Sequence, residues 1–249
     1  MEAPSRRSPR ALAAMLAACA LACAGFVALG AWQLERLGWK EALIARVERN
    51  ANGPAVPAPA PSDWPRLTRE DEYRRIAVQG HLEYDREVAV SATTDLGIGY
   101  WVLTPLRTQQ GSWVLVNRGF VLPELRGRAP RAAPDQVVTG LLRFSEPGGR
   151  LLQKNDPAAG RWYSRDVAAI AAAQGLAGPV APFFVDLVAT PGVASAWPRP
   201  GLTVLRFRND HLAYALTWFA LAAIMAAAMG YVLLDARRSR RVVPTEPTC

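Results

Sequence analysis

The chain has 249 residues, 51% of them apolar, and a net charge of +8, which suits one or two domains with a substantial core. The terminal segments 1–10 and 235–249 each carry a net charge of +2, and the other positive charges are spread along the chain. A nucleic-acid interface requires clustered basic residues, so binding to nucleic acid is excluded as the main function. Basic ends beside apolar stretches are typical of membrane proteins.

The first apolar stretch covers residues 11–34 and follows three arginines in the tail 1–10. A cleaved signal peptide is one interpretation, because residues 16–19 read Leu-Ala-Ala-Cys, as in a lipoprotein processing site. The apolar run continues for 15 residues beyond Cys19, and about 20 helical residues cross the hydrocarbon core of a bilayer. We therefore favour a retained transmembrane helix over residues 11–34.

A second transmembrane helix is predicted over residues 211–234, since the 23 residues from Leu212 to Leu234 include no charged side chain. Four arginines follow in the tail 235–249. Basic residues at both outer ends place both termini in the cytoplasm and the central domain on the far side. We thus predict a multi-pass protein of a bacterial inner membrane with a periplasmic central domain.

Cysteine usage fits this topology. Cys19 and Cys23 lie four residues apart on one face of the first helix, and the only other cysteine is Cys249. The pair has two interpretations, a helix-packing face of small residues or two ligands of a soft metal such as Cu(I). We favour packing, because soft-metal sites usually recruit more than two ligands. The central domain has no cysteine, so its core must hold it together without disulfides.

Residues 35–65 are predicted to form an amphipathic helix over residues 35–49, followed by an extended linker with five prolines. The β-rich domain is predicted over residues 66–210. Its apolar alternation favours many short strands with a hairpin turn at residues 108–111, and the Ala-rich stretch 166–174 favours a helix stopped by glycine. The predicted strands cover residues 73–80, 87–90, 99–107, 112–121, 136–144, 182–188 and 202–207.

The predicted fold class is an integral membrane protein in which two transmembrane α-helices flank one extracytoplasmic domain. Many short strands with one helix favour a mostly antiparallel β barrel or sandwich of the α+β type.

Few residues offer catalytic chemistry. The only histidines are His81 and His211, no Cys-x-x-Cys-His or glycine-rich phosphate loop occurs, and His81 is expected to be an ordinary strand or surface residue. The best polar cluster holds Asp156, Arg161 and Tyr163, which we interpret as a structured turn. We therefore predict that the protein is not an enzyme, with a membrane-anchored periplasmic enzyme kept as an alternative.

Five segments, in order, carry a resemblance to a known family: Gly30–Lys40 after the first helix, Gly99–Leu106, Val114–Phe120, Asn155–Tyr163, and Arg208–Phe219 entering the second helix. The ordered set resembles the surfeit locus protein 1 family, the assembly factors of cytochrome c oxidase. The resemblance spans residues 30–234. Two departures stand out, Phe120 where the family typically has Trp and Asp210 where it typically has Asn.

This resemblance implies a two-helix membrane protein that assists maturation of the large subunit of cytochrome c oxidase. It also implies binding of haem a, transiently and without a covalent bond, with His211 as axial iron ligand because His211 occupies the histidine of the family motif Asn-x-His-Leu-x-Tyr-Ala. The implied partners are the large oxidase subunit, haem a synthase and membrane lipid.

The residues around His211 allow that role. Helical spacing puts His211, Tyr214, Ala215, Trp218 and Ala222 on one face, where the small residues leave room for a macrocycle and the aromatic ones can pack on it. Arg208, with Arg206, is placed to meet haem propionates, and Trp32 should lie at the same depth.

The alternative interpretation of the same residues is an interfacial aromatic belt with a histidine that is merely solvated or hydrogen-bonded at a helix start capped by Asn209 or Asp210. The predicted function is thus an oxidase assembly factor that binds haem a through His211, Tyr214, Trp218, Trp32 and Arg208. Its alternative is a cofactor-free scaffold that stabilises an assembly intermediate.

Overall fold

The computed structural model describes residues 9–150, 153–189, 197–203 and 208–241, with side chains up to residue 238 in the last range. The chain forms two compact units. We call Met1–Ile44 with Phe207–Cys249 the membrane unit and Ala45–Arg206 the barrel unit. The helices are α1 Pro9–Asn52, α2 Val167–Ala173 and α3 His211–Arg241.

The membrane unit consists of the greater part of α1 together with α3, and both helices are long and apolar enough to cross a bilayer. The α1 helix has 44 residues, about 66 Å at 1.5 Å per residue, so it extends well beyond a hydrocarbon core of about 30 Å. The two helices pack through aromatic and small residues. The rings of Phe26 and Trp218 stack with centroids 5.7 Å apart, and a Cβ added at Gly30 would lie 2.6 Å from the Phe219 ring.

The barrel unit is a seven-stranded sheet in the order β1-β2-β6-β7-β5-β4-β3, and an additional pairing of β2 with β4 closes five of the strands into a ring. The strands are β1 Val56–Pro57, β2 Arg75–Leu82, β3 Val88–Thr94, β4 Gly97–Thr108, β5 Trp113–Val121, β6 Asp135–Phe144 and β7 Val180–Leu187. The pairings β1–β2 and β5–β7 are parallel and the other five are antiparallel. The predicted fold class, two terminal helices around a mostly antiparallel barrel, is confirmed.

Strand β5 shows why the sheet closes. All nine of its residues are buried, so its two faces both meet apolar layers, whereas a strand with one wet face would alternate. One face contributes to the barrel interior, where Ile76, Leu106, Val116 and Phe183 belong to one buried cluster. The other face packs beneath α2 in a second buried cluster, formed by Leu115, Trp162, Ile170 and Phe184 among others.

Six of the predicted strands correspond to β2–β7, and the predicted hairpin joins β4 and β5. The predicted helix is α2, in which the Asp166 side chain caps the start and Gly175 follows the end at φ +60°. The seventh predicted strand, 202–207, is not observed at residues 202 and 203, which have no regular structure, and residues 204–207 lie outside the described residues.

The domain boundary at residue 66 stays a prediction, and the compact barrel unit of the structure begins at Ala45. The end of α1 belongs to this unit, and Val47 and Ala51 are buried there. Within the proline-rich stretch, Val56 pairs with Ile76 of β2, and residues 61–66 form a turn and a short 3-10 helix. Proline lacks an N–H group but fits an edge strand, where one side makes no ladder hydrogen bonds.

Candidate functional site

His211 is the first residue of α3, and its ring faces α1. The His211 Nδ1 atom lies 2.7 Å from the Gln33 Oε1 atom of α1, and the contact is partly buried. A side-chain carbonyl oxygen only accepts hydrogen bonds, so this contact is a hydrogen bond when the His211 ring carries its proton on Nδ1. The Nε2 atom of such a neutral ring keeps its lone pair, which is the form that binds a metal.

The face of α3 that includes Ala215, Trp218 and Ala222 lies against α1. Ala215 and Ala222 are buried, and Trp218 stacks on Phe26 of α1. The helices approach closely at Ala222, whose carbonyl oxygen lies 3.5 Å from Cys23 Sγ of α1. Small residues on a membrane helix allow close approach of the neighbouring helix, and the structure uses them in that way.

Cys23 thus lies in the helix–helix contact, as the packing interpretation of the two cysteines predicted. Among the described residues, no group of three or more His, Cys, Asp or Glu side chains is arranged to hold a metal ion.

Tyr214 and Trp32 lie at the edge of the helix pair rather than inside it. Tyr214 is 56% exposed and Trp32 is 48% exposed. The Trp32 ring contacts the Arg36 guanidinium at 5.6 Å, and the same guanidinium lies 5.5 Å from the Trp39 ring. Exposed Trp and Tyr with a neighbouring Arg are typical of a membrane–water boundary. Both rings are therefore open to a flat apolar molecule, but no described contact joins either of them to His211.

Arg208 and Asp210 bind each other. The Arg208 Nε atom donates a hydrogen bond to Asp210 Oδ2, and the Arg208 side chain is 88% exposed. The carboxylate at the position where the family typically has Asn is therefore engaged by Arg208, and the described partner of the His211 ring is Gln33. The Asp210 contact uses only the Nε–H group of Arg208, so the other guanidinium N–H groups can still donate to an anionic group. Arg206 lies outside the described residues.

Two residues of this site were missed in the sequence. Gln33 lies within the segment Gly30–Lys40 that carries the family resemblance, yet nothing in its spacing indicates a histidine partner 178 positions away. Phe219 received no role of its own in the sequence, and it packs against Gly30 of the other helix. Only the pairing of the two helices reveals either contact.

The polar cluster of the barrel unit forms the predicted turn. Asp156 accepts a hydrogen bond from the backbone N–H of Ala159 and pairs with Arg161, while Asn155 accepts from the backbone N–H of Tyr163. These groups are engaged in local structure. His81 is an exposed strand residue, as predicted, and its Nδ1 lies 2.9 Å from Asp135 Oδ1.

A second polar feature of the barrel unit is a charged network around Asp186, which is buried in β7. Asp186 Oδ2 lies 3.5 Å from Arg143 Nη1 and 3.3 Å from Arg165 Nη1. Arg165 also binds Glu146 at 2.6 Å. Burial would raise the pKa of Glu146, but the hydrogen bond and charge of Arg165, with the charge of Arg143, lower that pKa below its ordinary value.

The fold and the site together define an integral membrane protein with two apolar helices, a His–Gln contact between them and a closed β barrel inserted between the helices in sequence. The family model of the SURF1 family matches residues 20–223, which include both Gln33 and His211.

Curated relatives match over most of their length. Surfeit locus protein 1 of Mus musculus is 33% identical over 216 residues, covering 78% of this chain and 68% of the relative. The SURF1-like protein of Monosiga brevicollis is 33% identical over 217 residues, 80% of each chain. Surfeit locus protein 1 of Homo sapiens is 31% identical over 219 residues, with 78% and 69% covered. The chain belongs to the SURF1 family, a family of cytochrome c oxidase assembly factors, and the resemblance noted in the sequence is confirmed.

Proposed function

We propose that this chain is an assembly factor of cytochrome c oxidase that binds haem a as cargo and assists its insertion into the large oxidase subunit. His211 is the axial ligand in this proposal, through its Nε2 atom. The observation that carries the proposal is the 2.7 Å contact between His211 Nδ1 and Gln33 Oε1. Histidines that bind metals usually donate their other ring N–H to an oxygen acceptor in this manner.

The residues around His211 are of the types that can bind haem a. Neutral imidazole is a common axial ligand of haem iron, and the hydrogen bond to Gln33 leaves one ring nitrogen available. Trp32 and Tyr214 offer exposed aromatic surface at the same end of the helix pair, and Arg208 adds an exposed cationic group for a propionate. Haem a, when bound, supplies an iron with an open axial position, and the chain's own residues hold it without any catalytic step.

The proposed membrane topology follows from the basic residues at the ends of the two helices. Basic residues at both outer ends of the two helices favour cytoplasmic termini. The barrel unit then lies on the outer face of a bacterial inner membrane, in the periplasm. His211 begins α3 directly after the barrel segment in sequence, so in this proposal its ring lies at the outer boundary of the bilayer. The proposed partners are the large oxidase subunit and haem a synthase.

A cofactor-free scaffold is the second candidate, and a specific observation favours it. Ala215 and Ala222 are buried and Trp218 stacks on Phe26, so the side chains of the two helices fill their own contact surface. Such a pair could hold an oxidase intermediate through its exposed apolar surface alone.

The two candidates differ in the absorption spectrum of the purified protein. We would purify the full chain in detergent from cells that make haem a, as wild type, His211→Ala and His81→Ala. The last variant is the matched control, since His81 is the only other histidine. We expect bound haem in the wild type and in His81→Ala, and loss of haem in His211→Ala.

Each result has one meaning. A wild type without haem that still co-purifies with the large oxidase subunit would refute haem binding and favour the scaffold. Equal haem content in His211→Ala and wild type would refute His211 as ligand. Loss of haem in both histidine variants would show that the effect is not specific to His211.

A further inference from the structure

We infer that Gln33 is a positioning residue for His211, because its side-chain carbonyl holds the imidazole in the Nδ1–H tautomer and keeps the Nε2 lone pair free. The tautomer itself is a property of the ligand-free protein. Its consequence for haem rests on the function proposed above.

The geometry offers few other hydrogen-bond acceptors to the Nδ1 atom of His211. The His211 Nδ1 atom is 2.7 Å from Gln33 Oε1, a short distance for a hydrogen bond of the N–H to oxygen type. The nearest carboxylate in sequence, Asp210, already accepts a hydrogen bond from Arg208. Among the described residues, Gln33 is therefore the acceptor for this ring.

Packing between α1 and α3 fixes the backbone on both sides of the contact between His211 and Gln33. Phe26 stacks on Trp218, and Gly30 lies against Phe219 with no space for a Cβ. Gln33 follows Gly30 by three residues and is therefore a neighbour on the same side of α1. These contacts set the distance between the helices, so the Gln33 side chain reaches the ring without a change in the backbone.

The choice of tautomer decides whether the ring can bind a metal through Nε2. A neutral imidazole carries one proton, and the nitrogen that carries it has no lone pair to donate. Without an oxygen acceptor at Nδ1, the proton is free to occupy Nε2, and the ring then offers the metal only the nitrogen that faces α1. Loss of such a supporting hydrogen bond typically weakens metal affinity about 10- to 100-fold.

The chain is well suited to a direct test, because it has two histidines. We would label histidine with ¹⁵N in the haem-free full chain in detergent and assign His211 by comparison with His81→Gln. We expect the wild-type His211 signals of a proton on Nδ1 and a bare Nε2. In Gln33→Met, which keeps the length of the side chain but removes the acceptor, we expect the proton to move substantially to Nε2. Gln33→Glu restores an oxygen acceptor and should return the proton to Nδ1.

A purely structural role for Gln33 predicts a different pattern. Trp218→Leu removes the stacking on Phe26 and loosens the same helix pair, but it leaves the Gln33 acceptor in place. We expect Trp218→Leu to retain the Nδ1–H tautomer. A wild-type ring protonated on Nε2, or a Gln33→Met ring identical to wild type, would overturn the inference.

A haem titration separates this inference from the proposed function. We expect Gln33→Met to bind haem a about 10- to 100-fold more weakly than wild type, and Gln33→Glu to bind more tightly than Gln33→Met. If the wild type shows the Nδ1–H tautomer but binds no haem, the proposed function fails and the tautomer assignment stands. If the wild type binds haem through His211 and Gln33→Met binds it equally well, only the role of Gln33 fails.

Discussion

Replacing Asp186 with alanine is expected to destabilise the barrel unit by about 3 kcal/mol. This carboxylate is 4% exposed, and four side chains donate to it. Arg143 and Arg165 lie 3.5 and 3.3 Å from its Oδ2 atom, Thr203 Oγ1 donates to the same oxygen at 2.9 Å, and Asn117 donates to Oδ1. Alanine would leave all four donors without this acceptor.

The expected loss of stability follows from the ion pairs that Arg143 and Arg165 keep without Asp186. Removing one partner of a buried ion pair costs about 3–5 kcal/mol, because the remaining charge is left uncompensated. Here Arg165 keeps Glu146 at 2.6 Å and Arg143 keeps Glu72 at 3.3 Å, so neither guanidinium loses every carboxylate. We therefore expect the lower end of that range, which is still a large part of a typical domain stability of about 5–15 kcal/mol.

Urea unfolding of the full chain in detergent measures this effect, followed by the fluorescence of the buried Trp113 and Trp162. The control is Asp85→Ala, which removes a carboxylate 3.1 Å from Arg131 in an exposed pair and should change stability by less than about 0.5 kcal/mol. A loss below about 1 kcal/mol in Asp186→Ala, or an equal loss in Asp85→Ala, would refute the reasoning about buried charge.

Two further outcomes are expected. Since the pKa of Glu146 is lowered in the folded domain by its ion pair with Arg165, despite its burial, the folded state binds fewer protons there than the unfolded state. The stabilisation from Glu146 is thus present above the ordinary pKa of about 4.5 and is lost as the pH falls towards the folded pKa. Glu146→Gln should flatten the acid side of the urea stability profile, and an unchanged acid slope would contradict this. In the membrane unit, Ala222→Cys should form a disulfide with Cys23, whose Sγ lies 3.5 Å from the Ala222 carbonyl, under mild oxidation. Protease fragments that stay joined until reduction would demonstrate the bond, and joined fragments in an Ala222→Cys, Cys23→Ala control would argue against it.

The elements of the barrel unit could be predicted because each has a local cause. The apolar runs and alternations of β2–β7, the Asp166 cap of α2 and the glycine after α2 are all visible in the sequence. The prolines of residues 53–65 suggested a linker and gave no sign that Val56 pairs with Ile76. That pairing depends on a partner 20 residues away and on burial that the local sequence does not show.

The candidate site also contains residues that the sequence indicated and residues that it did not. His211 was found from the sequence, because a histidine at the start of an uncharged helix is rare and belongs to a recognisable motif. Its partner Gln33 was not found, because the two residues are 178 positions apart. The roles expected of Ala215 and Ala222 changed, since helical spacing gives the face on which a residue lies but not what covers that face.

The sequence by itself determined the two membrane helices, the strand-rich domain between them, the family and the histidine. These features depend on length, periodicity and residue type, which act within one segment of chain. The tertiary structure alone decided the strand order, the closure of the barrel through β2 and β4, and the contact between His211 and Gln33. Each of these depends on two distant segments meeting at hydrogen-bond distance, and a pattern within one segment carries no information about the partner that packing brings to it.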